Sequence, residues 1–148
     1  GENILVMFSG IGAYPLVISK NAFAKKIIGI EINPIAHKYA EENIKINKLN
    51  NISLIKGDVK KIMPKIKEKF DRIIMPLPKS SENFLYLIKN KTKRGTIIHL
   101  YQFERTNEPI DINNIFKKQF KTFKVLKKVK CGAYSPHVFR ICFDVKVL

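Results

Sequence analysis

Short apolar runs alternate with stretches of helical length from one end of the chain to the other. Ile4-Leu5-Val6-Met7 and Ile27-Ile28-Gly29-Ile30 are apolar runs, and Ile52-Ser53-Leu54-Ile55 is a third, interrupted by one serine. They predict strands over 4–8, 27–31 and 52–55, with a fourth over 72–75 and a fifth over 95–103 built on Thr96-Ile97-Ile98-His99-Leu100-Tyr101. Between them the sequence predicts helices. One covers 15–23 with Pro15 in its first turn; another is capped by Asn33, starts at Pro34 and carries Glu41 and Glu42 ahead of Lys45 and Lys48. Gly57-Asp58 opens a lysine-bearing segment that ends near Phe70. Pro76-Leu77-Pro78 ends the fourth strand, because proline cannot donate to a ladder and restrains the residue before it. Helices over 81–88 and 112–120 follow. Two last β-rich stretches, 123–129 and 138–147, are joined through Gly132-Ala133-Tyr134-Ser135-Pro136, short enough for an antiparallel hairpin.

This order predicts an α/β fold, a seven-stranded, mostly parallel sheet with a C-terminal antiparallel hairpin. At 148 residues the chain fits one domain. Apolar residues make up 45%, and no run approaches the roughly eighteen needed to cross a bilayer. No cationic leader precedes an apolar stretch, so secretion is not expected. Cys131 and Cys142 have neither metal-ligand spacing nor a disulfide framework. The expectation is therefore a cytoplasmic monomer with reduced thiols and no metal.

Charge changes the picture. Twenty-eight Lys and Arg stand against twelve Asp and Glu, a formal charge of +16, which attracts polyanions. The abundance of Ile, Lys and Asn is also what coding bias or heat adaptation produces. Clustering favours a nucleic-acid partner: lysines gather at Lys60-Lys61-Lys65-Lys67-Lys69, at Lys89-Lys91-Lys93-Arg94, and from Lys117 to Lys130.

The candidate chemistry sits at the first two strand ends. Phe8-Ser9-Gly10-Ile11-Gly12-Ala13 follows the first run, and Glu31 closes the second about twenty residues after Gly12. Glycines let backbone approach a ligand, and an acid at a strand tip accepts both hydroxyls of a ribose. Glu31 has little structural reason to be acidic there. A nicotinamide dehydrogenase shares these features, but Pro15 stands where its third glycine falls.

Phe8-Ser9-Gly10-Ile11-Gly12, Glu31-Ile32-Asn33-Pro34, Gly57-Asp58, Asp71-Arg72-Ile73-Ile74-Met75-Pro76-Leu77-Pro78-Lys79, Ile97-Ile98-His99 and Tyr134-Ser135-Pro136 together resemble the archaeal and eukaryotic tRNA guanine-N1 methyltransferases that act at position 37. The likeness runs over essentially the whole chain. It implies the Rossmann-like methyltransferase fold, S-adenosylmethionine as methyl donor and tRNA as partner. By position, Phe8, Ser9, Gly10, Ile11 and Gly12 would line the methionine and ribose portion. Glu31 would hold the ribose hydroxyls, Ile32 would flank the adenine, and Asp58 would meet the adenine amino group beside Val59. Pro76, Leu77 and Pro78 would position donor and base, and Lys79, Tyr134, His137 and Arg140 would contact RNA. Val6 and Pro76 depart from the pattern, which often has an acid and an asparagine there.

Guanine N1 carries a proton at neutral pH, so methylation needs an acceptor. Within the chain, His37 faces out of a charged helix, His99 lies in a buried strand, and His137 adjoins the Tyr134 turn. In the resembled family the acceptor and the tRNA-reading modules precede the first Rossmann strand, so the expectation is a donor-binding fragment, weak or inactive by itself. Two alternatives stand beside it: an aminocarboxypropyl transferase of wybutosine synthesis, and a basic RNA-binding module without catalysis.

Overall fold

Seven strands form one sheet in the order β3-β2-β1-β4-β5-β7-β6. The computed structural model describes residues 1–77 and 79–148; Pro78, expected in the turn after the fourth strand, lies outside the described residues. The strands are β1 (Glu2–Met7), β2 (Ala24–Glu31), β3 (Ile52–Lys56), β4 (Arg72–Met75), β5 (Ile97–Arg105), β6 (Phe123–Ser135) and β7 (Val138–Val147). The first five pair in parallel; β7 pairs antiparallel with both β5 and β6. The helices are α1 (Ala13–Asn21), α2 (Pro34–Ile46), α3 (Val59–Ile62), α4 (Leu85–Ile88) and α5 (Ile112–Phe116).

The apolar runs read as predicted, for a physical reason visible in β1. Leu5 and Met7 enter the larger core, with Ile28, Ile30, Phe70, Ile73, Leu100, Phe116 and Phe143. Ile4 and Val6 face the other way, into a smaller core with Ile27 and Ile74 that Tyr14 and Ile18 of α1 cover. The run Ile4 to Met7 is thus apolar at every position because successive side chains enter different cores. Asn33 caps α2 as expected, its side chain accepting from Ile35 N and Ala36 N, with Pro34 in the first turn.

Several boundaries differ. The first strand stops at Met7, because Phe8 takes a left-handed backbone (φ 56°) and turns the chain out of the sheet. The helix expected over 15–23 starts at Ala13 and ends at Asn21. That expected over 112–120 is regular only to Phe116, after which the chain drops Phe120 into the core. The segment over 81–88 is a 3-10 turn followed by one α turn. β6 runs on to Ser135, so the hairpin closes through Pro136 and His137 alone. Bulges between Lys130 and Gly132 and between Ala133 and Ser135 hide that length, since they break the alternation a strand normally displays.

Strand order reverses between β1 and β4, so the connections leaving their carboxyl ends diverge and open a crevice there. Among the described residues no helix is long and apolar enough to cross a membrane.

Candidate functional site

The turn after β1 is built to expose backbone. Phe8, Gly10 and Gly12 all have positive φ (56°, 56° and 85°), and such a conformation in a bulky residue like Phe8 is a strain that functional sites store. A Cβ on Gly10 would meet nothing within 4 Å, so this peptide faces open space; one on Gly12 would come within 3.1 Å of Ala40 Cβ. Gly12 therefore serves the packing of α1 on α2, and Gly10 serves access.

Glu31 organises the loop ends. One carboxylate oxygen accepts from Gly10 N at 2.7 Å and the other from Asn33 N at 2.8 Å, while its own carbonyl accepts from Gly57 N at 2.9 Å. The acid thus has a structural reason to be there, contrary to the sequence expectation: it ties the glycine turn to the start of α2. A carboxylate has about four lone-pair sites, so each oxygen keeps one for a ligand hydroxyl.

These turns border a cleft of about 470 Å³ lined by Phe8, Ile30, Glu31, Ile32, Gly57, Asp58, Val59, Lys60, Leu77 and Phe84. Six of the sequence-selected residues therefore meet in it: Phe8, Glu31, Ile32, Asp58, Val59 and Leu77. Ile32 is well exposed on one side, and Val59 is buried on the other as the first residue of α3. Asp58 caps α3 by accepting from Lys60 N at 2.9 Å, which leaves its other carboxylate oxygen available. Ser9, Gly10, Ile11, Gly12 and Pro76 do not line this cavity; Gly10 stands at its edge only through the bond of its amide to Glu31. Ser9 is buried against Gly29, whose added Cβ would lie 3.1 Å from Ser9 Oγ, and Ile11 is half exposed.

Sequence reasoning missed Phe84, Lys60 and Ser81. Phe84 packs edge-on to Phe8, centroids 5.0 Å apart, and the Lys60 ammonium lies 5.7 Å from its ring. Lys60 adjoins Asp58 and could have been found as its neighbour; Phe84 lies in a stretch with no periodic signal. Ser81 is fully buried, and its hydroxyl donates to the Leu77 carbonyl, with Met75 O 3.4 Å away. Next to it Glu82 accepts from Gln102 Nε2 of β5 at 2.7 Å. Together they pin the segment that carries Leu77.

The histidines separate from the cleft. His99 sits between Arg72 and Asp144: Arg72 Nη1 is 2.6 Å from Nε2 and Asp144 Oδ1 is 2.6 Å from Nδ1. Arg72 also grips Glu2 through two bonds of 2.8 and 3.1 Å. The guanidinium must donate, so Nε2 accepts and the ring proton sits on Nδ1 facing Asp144. Burial pushes the His99 pKa below its ordinary value, with the Asp144 hydrogen bond opposing. A neutral, doubly engaged imidazole is a packed histidine, as expected. Cys142 Sγ lies 3.5 Å from Asp144, and burial pushes its thiol up to about 12. His37 departs from expectation. Its side chain is only 12% exposed and its Nε2 is 3.2 Å from Glu41, so it faces inward on α2.

The residues selected for RNA lie elsewhere. Lys79 is exposed in the turn before Ser81. Tyr134, His137 and Arg140 are exposed at the tip of the β6–β7 hairpin, which Thr106 N ties to the end of β5 through a 3.0 Å bond to His137 O.

Comparison with known proteins gives this arrangement a lineage. The family model for the TRM5/TYW2 methyltransferase domain matches residues 1–133. The tRNA (guanine(37)-N(1))-methyltransferase Trm5b of Pyrococcus abyssi is 36% identical over 152 residues, covering 99% of this chain and 44% of that protein. Its crystal structure superposes with a TM-score of 0.87. The tRNA(Phe) (4-demethylwyosine(37)-C(7)) aminocarboxypropyltransferase of Methanocaldococcus jannaschii is 30% identical, covering 98% of this chain and 59% of that protein. The structure of M. jannaschii TYW2 in complex with AdoMet, 29% identical, has a TM-score of 0.83 over all of this chain and 70% of that one. The chain spans about half the length of the curated relatives it matches. With the sheet order, the glycine turn and the acid at the tip of β2 all in place, the chain belongs to the TRM5/TYW2 methyltransferase domain family.

Proposed function

We propose that this chain is the donor-binding domain of an enzyme that methylates N1 of guanosine at position 37 of tRNA, with S-adenosylmethionine as donor. The observation that carries the reading is the cleft at the carboxyl ends of β1 and β2. There a carboxylate already fixed by two backbone amides stands between an open glycine peptide and two apolar walls.

The residues fit the nucleoside half of the donor. Glu31 would hold the two ribose hydroxyls with its free lone pairs, and the Gly10 peptide would lie against the sugar without a side chain in the way. Ile32 and Val59 would take the faces of the adenine, and the free Asp58 oxygen would accept from its exocyclic amine. When bound, S-adenosylmethionine supplies an electrophilic methyl carbon on its sulfonium. The chain's own contribution to transfer is orientation. Ser81 and the Glu82–Gln102 pair hold the segment of Pro76 and Leu77 at the cleft mouth, so that Leu77 presents a fixed apolar wall to donor and base. Lys79, Tyr134, His137 and Arg140 would meet the RNA, with the lysine clusters adding a salt-sensitive attraction.

Among the described residues lining the cleft, the two carboxylates are Glu31 and Asp58, and in this reading both serve the donor. The acceptor of the N1 proton therefore belongs, in this proposal, to a part of the enzyme outside these residues, together with the modules that read tRNA shape. The length of the relatives supports that division: this chain covers 44% of P. abyssi Trm5b.

A second reading has its own support in the aminocarboxypropyltransferase relative. It uses the same donor but moves a different carbon. Calorimetry with S-adenosylmethionine tests what both share. No heat, and no competition by S-adenosylhomocysteine, would refute donor binding and leave the basic RNA-binding module. Mass analysis of tRNA nucleosides after incubation with the complete gene product separates the two transfers: methylguanosine supports the first, an aminocarboxypropyl adduct on a wyosine precursor the second.

A further inference from the structure

At the same carboxyl edge of the sheet, but on its opposite face, a second cavity of about 180 Å³ is lined by Phe103, Gly132, Ala133, Tyr134 and Arg140. Register explains how it forms. Phe103 of β5 stands opposite Arg140 of β7, and Arg140 stands opposite Gly132 of β6, so the three make one row across three strands. Directly opposed residues share a face. The face is the one away from the large core, since Leu100 points into that core and Tyr101 to the other side. Tyr134 is the extra residue of the bulge between Ala133 and Ser135, and its ring meets Phe103 with centroids 4.6 Å apart and planes tilted by 41°.

This is an unusual use of a tyrosine. It is 72% exposed, so its tilted contact with Phe103 leaves most of the ring to solvent. The floor beside it is bare: a Cβ on Gly132 would find nothing within 4 Å. Arg140 is exposed and, among the described residues, has no carboxylate within ion-pair distance. A free aromatic face, a flat floor and an unneutralised guanidinium suit a planar, electron-rich group joined to an anion. A nucleobase with its phosphate is such a group, and a chain of charge +16 draws that class of partner to its surface.

We propose that this cavity seats one unpaired purine of the RNA, stacked on Tyr134 with its 5′ or 3′ phosphate on Arg140, at a position distinct from the nucleotide presented to the cleft. The proposal deepens the RNA-contact reading given above and rests on it for the class of partner. An aromatic seat for a neighbouring base would hold a flipped-out loop in register while the target nucleotide is delivered to the other face of the sheet.

The test uses the whole chain and a short single-stranded oligouridine carrying one 2-aminopurine, whose emission falls on stacking. The protein has no tryptophan to interfere. Binding should quench the probe. Tyr134→Ala should weaken binding roughly 5- to 150-fold and abolish the quenching, the range for loss of one base–aromatic stack, while Tyr134→Phe keeps both. Arg140→Gln should weaken binding and lower its salt slope by about one ion. Unquenched binding by the wild type, no binding by it, or Tyr134→Ala binding and quenching like the wild type would each overturn the proposal. Thermal melting of Tyr134→Ala checks that this exposed change leaves the fold intact. Donor calorimetry on the wild type runs beside these measurements: donor heat without quenching sinks the base seat alone, and quenching without donor heat sinks the methyl-transfer reading alone.

Discussion

Replacing Glu31 with alanine removes both acceptors that tie the glycine turn to α2. The bond to Gly10 N is partly buried and the bond to Asn33 N is exposed. A hydrogen bond to a charged group contributes about 1.5–3 kcal/mol when shielded and less where water can replace it. The shielded bond at the low end and the exposed one at roughly half that value sum to about 2–3 kcal/mol. At this chain length each kcal/mol moves the melting temperature by about 3–4 °C, so Glu31→Ala should melt about 6–12 °C below the wild type. On the proposed reading the same substitution also takes away the acceptors for the ribose hydroxyls, and donor affinity should fall about 10- to 100-fold. Glu31→Gln keeps one acceptor oxygen and sets an NH2 against the other amide, so it recovers at most one of the two bonds. The assays are thermal melting and calorimetry with S-adenosylmethionine, the latter well below the transition. An unchanged melting temperature would refute the structural role drawn from the two short bonds. A lowered melting temperature with unchanged donor affinity would refute the ribose role and leave Glu31 a loop clamp.

Three further outcomes are expected. Ser81→Ala should lower stability by about 1–2 kcal/mol, read from the urea midpoint, because it strips the partly buried Leu77 carbonyl of its donor; an unchanged midpoint would show that the loop is held otherwise. Gly29→Ala should cost about 1–3 kcal/mol, since the new Cβ would lie 2.9 Å from Leu54 Cδ2 and 3.1 Å from Ser9 Oγ; a variant as stable as the wild type would mean that both neighbours give way freely. Acidification should destabilise the fold in two stages. His99 has a folded pKa below its ordinary 6.5 because of burial, so below that pH the unfolded chain takes up a proton the folded one refuses, and stability falls. Glu2, held low by the Arg72 hydrogen bond, and Asp71, held low by Lys93, contribute stability above their ordinary values that is lost as pH falls through their folded ones. Melting temperature against pH should therefore decline from about pH 6.5 downward, and His99→Gln should flatten the upper part; an identical decline in the variant would clear His99.

The elements that the sequence predicted correctly are those whose causes are local. Asn33 and Pro34 start a helix through neighbouring amides, and Ile4 to Met7 is a strand because every position meets a core on one face or the other. The glycine turn and Glu31 were legible too, because backbone access and an acid at a strand tip are written within one strand-turn-helix-strand unit. Sequence patterning also foresaw the antiparallel hairpin, though not its length, since two bulges erase the alternation that would mark β6.

What only the tertiary structure decided depends on partners far apart in the chain. Phe84 reaches the cleft because short turns after β4 fold it against Phe8, and neither residue announces the other. Ser81 matters through the carbonyl it holds, which a sequence cannot show. Glu31 acquired a structural duty only when Gly10 N came within 2.7 Å of it. His99 became a packed residue only when parallel pairing set Arg72 on one side of it and antiparallel pairing set Asp144 on the other. Periodicity determines which face a side chain takes, because it follows from backbone geometry over a few residues. Strand order and register determine which side chains meet, because they are set by the packing of the whole sheet; the cleft and the cavity beside Tyr134 are products of that second kind.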